Sequence, residues 1–303
     1  MEFVHKSVLF DEAVDALNLD NTKIIADGTA GGGGHSSAIA KKAGRLISID
    51  RDPDAIKVLN ERLGDMKNVT IVQDNFSNIK DIIHRLGIEK IDGMLLDLGV
   101  SSFQLDTAER GFSFHKDAPL DMRMSKSGLS ARDVVNTYGE KELADVIYRY
   151  GEEKFSRKIA ANIVKARELK PIETTFELVD IIKSSLPQKA MRDGHPARKT
   201  FQAIRIEVNG ELDVLKKALT DAFDCLNPGG RLAVITFHSL EDRIVKEQFN
   251  EWCRGCTCPK DFPVCVCGNK PKGKAFKPQA PTEKELEDNP RARSSRLRVF
   301  EKY

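Results

Sequence analysis

Two periodicities alternate along the first third of the chain. Short apolar runs at Lys23–Ala26, Arg45–Ile49, Val69–Val72 and Ile91–Leu96 read as buried strands. Between them, at Ser36–Lys42, Pro53–Arg62 and Asn78–Leu86, the apolar positions follow helical spacing. An earlier segment, Ser7–Leu17, puts Phe10, Ala13, Val14 and Leu17 on one helical face. Strand–helix alternation predicts a parallel sheet covered by helices on both faces.

The alternation stops near Leu105. Ser130–Tyr138, Glu140–Tyr150, Glu152–Arg167 and Thr174–Ser185 read as amphipathic helices, with Ser130 and Thr174 as N-caps and Gly139 and Gly151 as stops. One long helix is expected from Pro196 to Asp224. The sheet pattern returns at Leu226–Phe237, where Asn-Pro-Gly-Gly feeds an apolar run. Ser295–Phe300 alternates like an edge strand. Gly268–Pro281, rich in Lys, Pro and Gly, reads as a mobile loop. The economical architecture is one α/β domain, residues 1–104 and 205–303, interrupted by a helical insertion over residues 105–204. Residues 253–282 form a Cys-rich, basic loop within the α/β part.

Composition adds two constraints. With 303 residues, 40% hydrophobic and 31% charged, the chain is ordinary for a soluble protein. No apolar run is long enough for a membrane span, and Met1–Lys6 lacks the regions of a signal peptide. A cytoplasmic protein with reduced thiols is expected. The net charge of +2 is unevenly spread: residues 253–303 hold 12 Lys and Arg against 6 Asp and Glu. Such a tail suits a polyanion such as nucleic acid. A solvated charged tail is the bland alternative.

The glycine loop after the first strand carries the chemistry. It runs Asp27-Gly-Thr-Ala-Gly-Gly-Gly-Gly-His35, and the next strand ends in Asp50. Glycines let a backbone approach a ligand closely, and an acid at that strand end can accept both ribose hydroxyls of a nucleoside. The spacing fits Gly-x-Gly-x-x-Gly poorly in register. Asp27 would repel a pyrophosphate but would suit the amino group or sulfonium of S-adenosylmethionine. Leu226-Asn-Pro-Gly-Gly-Arg-Leu before a late strand agrees. The pattern therefore favours a Rossmann-like, S-adenosylmethionine-dependent methyltransferase sheet over a dinucleotide-binding one.

Several further stretches resemble one family. They are His5–Ala13, Asp27–His35, Asp50-Arg-Asp-Pro, Leu95–Asp106, Arg110-Gly-Phe-Ser-Phe, Pro119-Leu-Asp-Met-Arg-Met, His195–Ala203, Phe237-His-Ser-Leu-Glu-Asp-Arg and Asn289–Ser295. Together they resemble the bacterial 16S ribosomal RNA N4-cytosine methyltransferases over nearly the whole chain. The resemblance implies S-adenosylmethionine as cofactor and a cytidine in the decoding region of the small ribosomal subunit as target. It implies that Gly33, Gly34 and His35 lie against the cofactor, that Asp50 binds the ribose and that Phe76 packs near the adenine. It also implies that Asp97 and Gln104 line the cofactor and reaction end, and that the helical insertion helps to hold RNA. The oligomeric state, monomer or homodimer, stays open.

Asp97 ends the apolar run Ile91–Asp97, at the strand end where ligands of open α/β sheets bind. It is the candidate catalytic residue: an acceptor there can draw cytosine N4 toward an attacking form and take its proton afterwards. Amino-methylating DNA enzymes place Asp/Asn/Ser-Pro-Pro-Tyr/Phe in this slot. This chain has Asp97-Leu-Gly-Val, so the base-stacking aromatic is open among Phe103, Phe112 and Phe114. Each of these is also a natural core residue. His238 is a second candidate for substrate contact, with a hydrogen-bonded structural role as its alternative. His195 and Arg198 can meet phosphate or simply begin a helix.

Cys253, Cys256, Cys258, Cys265 and Cys267 lie within 15 residues. Reduced thiols so clustered favour zinc over disulfides, but only the first pair has the Cys-x-x-Cys spacing, and the resemblance implies no metal. The metal stays unknown at this level. Cys225 reads as a small core residue. Two other functions compete: a nucleotide-dependent oxidoreductase, opposed by the glycine spacing, and a non-catalytic RNA-binding assembly protein, opposed by the intact set Asp27, Asp50 and Asp97.

Overall fold

The computed structural model describes residues 7–191, 194–259, 263–264 and 266–303. Met1–Lys6 and Cys265, which figured in the sequence reading, lie outside them. The chain divides into two compact units, Met1–Gly99 with Leu212–Tyr303, and Val100–Glu211. The sequence reading set the boundaries some residues later at the first junction and earlier at the second.

The first unit is built on seven strands: β1 (Ile24–Asp27), β2 (Arg45–Asp50), β3 (Val69–Gln73), β4 (Ile91–Asp97), β5 (Leu226–Thr236), β6 (Gly273–Ala275) and β7 (Arg296–Lys302). Their order is β3-β2-β1-β4-β5-β7-β6. The first five run parallel, and β7 is antiparallel to both β5 and β6. Strand alternation sends neighbouring residues to opposite faces. Ala26, Met94, Leu96 and Val234 pack on one side under Leu215, Leu219, Val245, Phe249 and Trp252. Ile25, Leu95, Ala233 and Ile235 pack on the other, under Ala13, Val14, Ile39 and Ala40. A sheet buried on both faces explains why its strands read as continuous apolar runs.

The chain switches direction across β1, because β2 and β4 lie on its two sides. In open α/β sheets this is where a crevice forms at the carboxyl ends of the strands.

The second unit is helical. Its core gathers Val134, Leu143, Ile147, Ile159, Ile163, Leu178, Ile182, Phe201 and Ile204. Ser130 and Thr174 each cap a helix through a reciprocal capping box with Asp133 and Glu177.

Four local expectations are corrected. The long helix is two, Arg198–Asn209 and Glu211–Cys225, parted by Gly210 at φ 61°. Gly takes this left-handed conformation readily, and Arg205 and Glu211 pair bidentately across the break at 2.8 Å. Gly139 does not stop a helix but caps the start of Glu140–Gly151, and the left-handed residue after that helix is Glu152. A Cβ on Gly151 would meet the Lys199 carbonyl oxygen at 2.6 Å, so close helix approach explains that glycine. Finally, β7 is not an edge strand: the Gly268–Pro281 stretch read as a mobile loop supplies β6 beside it.

Part of the basic tail, Gly273–Ala275 and Arg296–Lys302, joins this sheet, and several cations are spent internally. Arg298 forks onto Asp242 at 2.7 and 3.0 Å. Lys274 and Arg231 share Glu301, and Lys302 donates to the carbonyls of Phe223 and Leu226. Among the described residues no helix is long and apolar enough to cross a membrane.

Candidate active site

The glycine loop is stitched across the carboxyl ends of three neighbouring strands. Gly28 N–H donates to the Leu95 carbonyl at 2.9 Å and Ala30 N–H to the Ile49 carbonyl at 3.0 Å. Gly31 N–H donates to Asp50 Oδ2 at 2.7 Å, and Asp97 N–H donates to Thr29 Oγ1 at 2.6 Å. Both strand-end acids, Asp50 and Asp97, are thereby placed against one loop. Gly33, at φ 80°, turns the chain into the Gly34–Ala40 helix.

The three acids of this region differ in role. Asp27 turns inward: it is 1% exposed, accepts Ser36 Oγ at 2.6 Å and Thr29 N–H at 3.2 Å, and Ser48 Oγ extends the chain to Ser36. The sequence reading stood it beside the cofactor's amino group or sulfonium; instead it ties the loop to the helix. Burial pushes its carboxyl up to about 6, against these hydrogen bonds. Asp50 also accepts Asp52 N–H, at 2.8 Å, through Oδ1; burial raises its pKa. Each oxygen retains lone-pair capacity for a further donor.

Asp97 keeps 23% of its side chain open, yet the protein around it desolvates it strongly. That desolvation, then the charges of Asp27 and Glu241, holds its carboxyl well above the ordinary range. Its Oδ2 lies 3.6 Å from His35 Nδ1. His35 is buried, stacked on Phe10 with ring centres 5.6 Å apart, and burial lowers its pKa to about 4. At neutral pH this is a contact with an uncharged imidazole, not an ion pair.

Buried Asp97 Oδ1 and His35 Nε2 have no hydrogen-bond partner among the described residues. Buried polar atoms in native proteins are nearly always partnered, so each of these two atoms is a candidate for contact with a ligand. The loop agrees: a Cβ on Gly32 would meet nothing within 4 Å. The two strand-end carboxyls, Asp50 and Asp97, when ionised repel an anion and attract a cation. Pyrophosphate does not fit such a site; the cationic sulfonium and ammonium of S-adenosylmethionine do.

The remaining candidates fall elsewhere. Phe76 opens a short turn after β3 and is half-buried; its Cβ would sit 2.9 Å from a Cβ on Gly28. Gln104 belongs to the second unit, is 5% exposed, and forms a capping box with Ser101. His238 caps the Ser239–Trp252 helix; its Nε2 lies 3.1 Å from Glu241 Oε1, too poorly aligned for a hydrogen bond. Of the aromatic candidates, Phe112 is core, Phe114 stacks on His195 at 4.3 Å, and Phe103 is 51% exposed. His195 thus packs against an aromatic ring, and burial lowers its pKa.

Sequence reasoning missed Thr29 and Glu241. Glu241 was legible, because His-Ser-Leu-Glu has capping-box spacing before an apolar run.

Sheet order, glycine loop, strand-end acids and cation-favouring pit define a Rossmann-like, S-adenosylmethionine-dependent methyltransferase. The chain belongs to the MraW methylase family, whose family model matches residues 2–303. It is 57% identical over 311 residues to ribosomal RNA small subunit methyltransferase H 2 of Agathobacter rectalis, covering 100% of this chain and 99% of the relative. It is 56% identical over 308 residues to ribosomal RNA small subunit methyltransferase H of Clostridium botulinum strain Kyoto, covering both chains fully at 100%. The Finegoldia magna enzyme of that name is 52% identical over 310 residues, covering 100% of this chain and 99% of its own.

Proposed function

We propose that this protein transfers the methyl group of S-adenosylmethionine to N4 of a cytidine in the decoding region of 16S ribosomal RNA. The observation that carries the reading is Asp97: a desolvated strand-end carboxyl, tied to the glycine loop, with a buried oxygen lacking a partner. The names of the relatives support the ribosomal substrate. We infer from that substrate a cytoplasmic location and the small ribosomal subunit as partner.

When bound, S-adenosylmethionine supplies a sulfonium-activated methyl group. Gly33, Gly34 and His35 form the wall beside it, Asp50 accepts the ribose hydroxyls and Phe76 packs by the adenine. Asp97 accepts an N4 hydrogen, which draws the nitrogen lone pair out of conjugation with the ring. After attack the N4 cation is acidic, and Asp97 takes the proton. Its raised pKa makes it a better base than an ordinary carboxylate. Uncharged His35 positions Asp97 without neutralising it. His238 caps the helix that carries Glu241, whose charge adds to the desolvation that holds the Asp97 carboxyl up.

The test is methylation of small subunits from cells lacking this gene, with labelled S-adenosylmethionine and nucleoside mass spectrometry. N4-methylcytidine is expected. Methyl on another base or on ribose, or no transfer to subunits or naked RNA, overturns the reading.

A further inference from the structure

The catalytic reading leaves the cysteine-rich segment after the Ser239–Trp252 helix unused. Its described residues between Trp252 and Gly273 contain no helix or strand, and Val264 and Val266 are 69% and 72% exposed. Ordering a backbone costs roughly 1–2 kcal/mol per residue, and the described residues of this segment bury little apolar surface to offset that. Yet three thiols converge within it. The sulfurs of Cys256, Cys258 and Cys267 all lie within 4.8 Å of one another.

Two details point to a metal. Cys256 Sγ and Cys267 Sγ are 3.7 Å apart. Zinc–sulfur bonds of ~2.3 Å at tetrahedral angles put two sulfurs about 3.8 Å apart, whereas a disulfide needs ~2.05 Å. Backbone N–H groups also aim at all three sulfurs: Thr257 N–H at Cys267, Cys258 N–H at Cys256 and Val266 N–H at Cys258, at 3.3, 3.4 and 3.3 Å. N–H donors directed at sulfur are the outer bonds that orient metal-bound thiolates.

We propose that Cys256, Cys258 and Cys267 bind one zinc(II) ion as thiolates and that the ion staples this segment. Binding releases the thiol protons to solvent, with no redox change. The fourth tetrahedral position belongs to a donor outside this trio. The site is independent of methyl transfer, and its loss leaves the first unit's sheet intact.

The test is metal analysis of the full-length protein expressed with ample zinc and purified without chelator. One zinc per chain is expected. It falls by about tenfold or more in Cys256→Ser/Cys267→Ser and persists in Cys225→Ala, whose lost thiol lies outside the cluster. Circular dichroism checks that the double variant is folded. If that variant is unstable, cobalt(II) added to the chelated wild type gives the readout: tetrahedral cobalt–thiolate absorption is expected. Tryptic cleavage after Arg254 is expected to accelerate on metal removal. Zinc-free wild type that gives no cobalt–thiolate spectrum overturns the proposal, and so does zinc retained by the folded double variant.

Discussion

Asp50 Oδ2 accepts the backbone N–H of Gly31 at 2.7 Å, fastening the acid that ends β2 to the loop that follows β1. This carboxylate shapes the loop, and in the proposed reading it also accepts the ribose hydroxyls. Asp50→Ala removes charge-assisted hydrogen bonds worth about 1.5–3 kcal/mol, so the S-adenosylmethionine Kd should rise about 10–100-fold. Isothermal titration calorimetry measures this; an unchanged Kd removes Asp50 from the cofactor site.

Asp97→Asn keeps the shape and removes the base. The single-turnover rate should fall about 10²–10⁴-fold while cofactor affinity shifts little. The active form is the carboxylate, whose pKa is raised, so wild-type rate should climb with pH through a limb above the ordinary aspartate range. A variant that keeps that limb shows that another group produces it.

Asp27 and His35 work against each other in stability. Folding raises Asp27 from 3.8 to about 6, so the native state holds the extra proton and stability falls as pH climbs through that interval. Folding lowers His35 from 6.5 to about 4, so the unfolded state holds the extra proton and stability rises over nearly the same interval. Each shift corresponds to about 3 kcal/mol. Relative to wild type, Asp27→Asn should gain stability between pH 4 and 6.5, and His35→Gln should lose it. Urea unfolding at the two ends of the window reads the difference; parallel curves for all three proteins refute the assignment.

Gly28 is required by packing. A Cβ there would lie 2.6 Å from Leu96 Cδ2, and 2.9 Å from both Met94 Cε and Phe76 Cβ. Gly28→Ala should cost about 1–3 kcal/mol. Gly32→Ala, facing open space, should change stability by less than about 0.5 kcal/mol. Thermal melts compare them, and equal losses would show that the loop, not the packing, sets the cost.

Local chemistry was readable where the cause is local. The buried strands, the caps at Ser130 and Thr174, and the strand-end positions of Asp50 and Asp97 all follow from periodicity or from side-chain–backbone bonds within a few residues. The break at Gly210 escaped, because apolar spacing runs on through one residue that turns left-handed. Gly139 misled for a similar reason, since it opens a helix, whereas Gly151 does end its helix and is small because a neighbouring helix crosses it.

By itself the sequence determined which segments are strands or helices, the glycine loop and the acids beside it, because apolar periodicity and backbone freedom are encoded residue by residue. Only the tertiary structure decided that β7 lies inside the sheet, that Asp27 turns inward, that Thr29 holds Asp97 and that three cysteine sulfurs meet. Strand order and desolvation depend on residues distant in sequence: Thr29 holds the Asp97 N–H across 68 residues, and the protein surrounding Asp97 makes it basic.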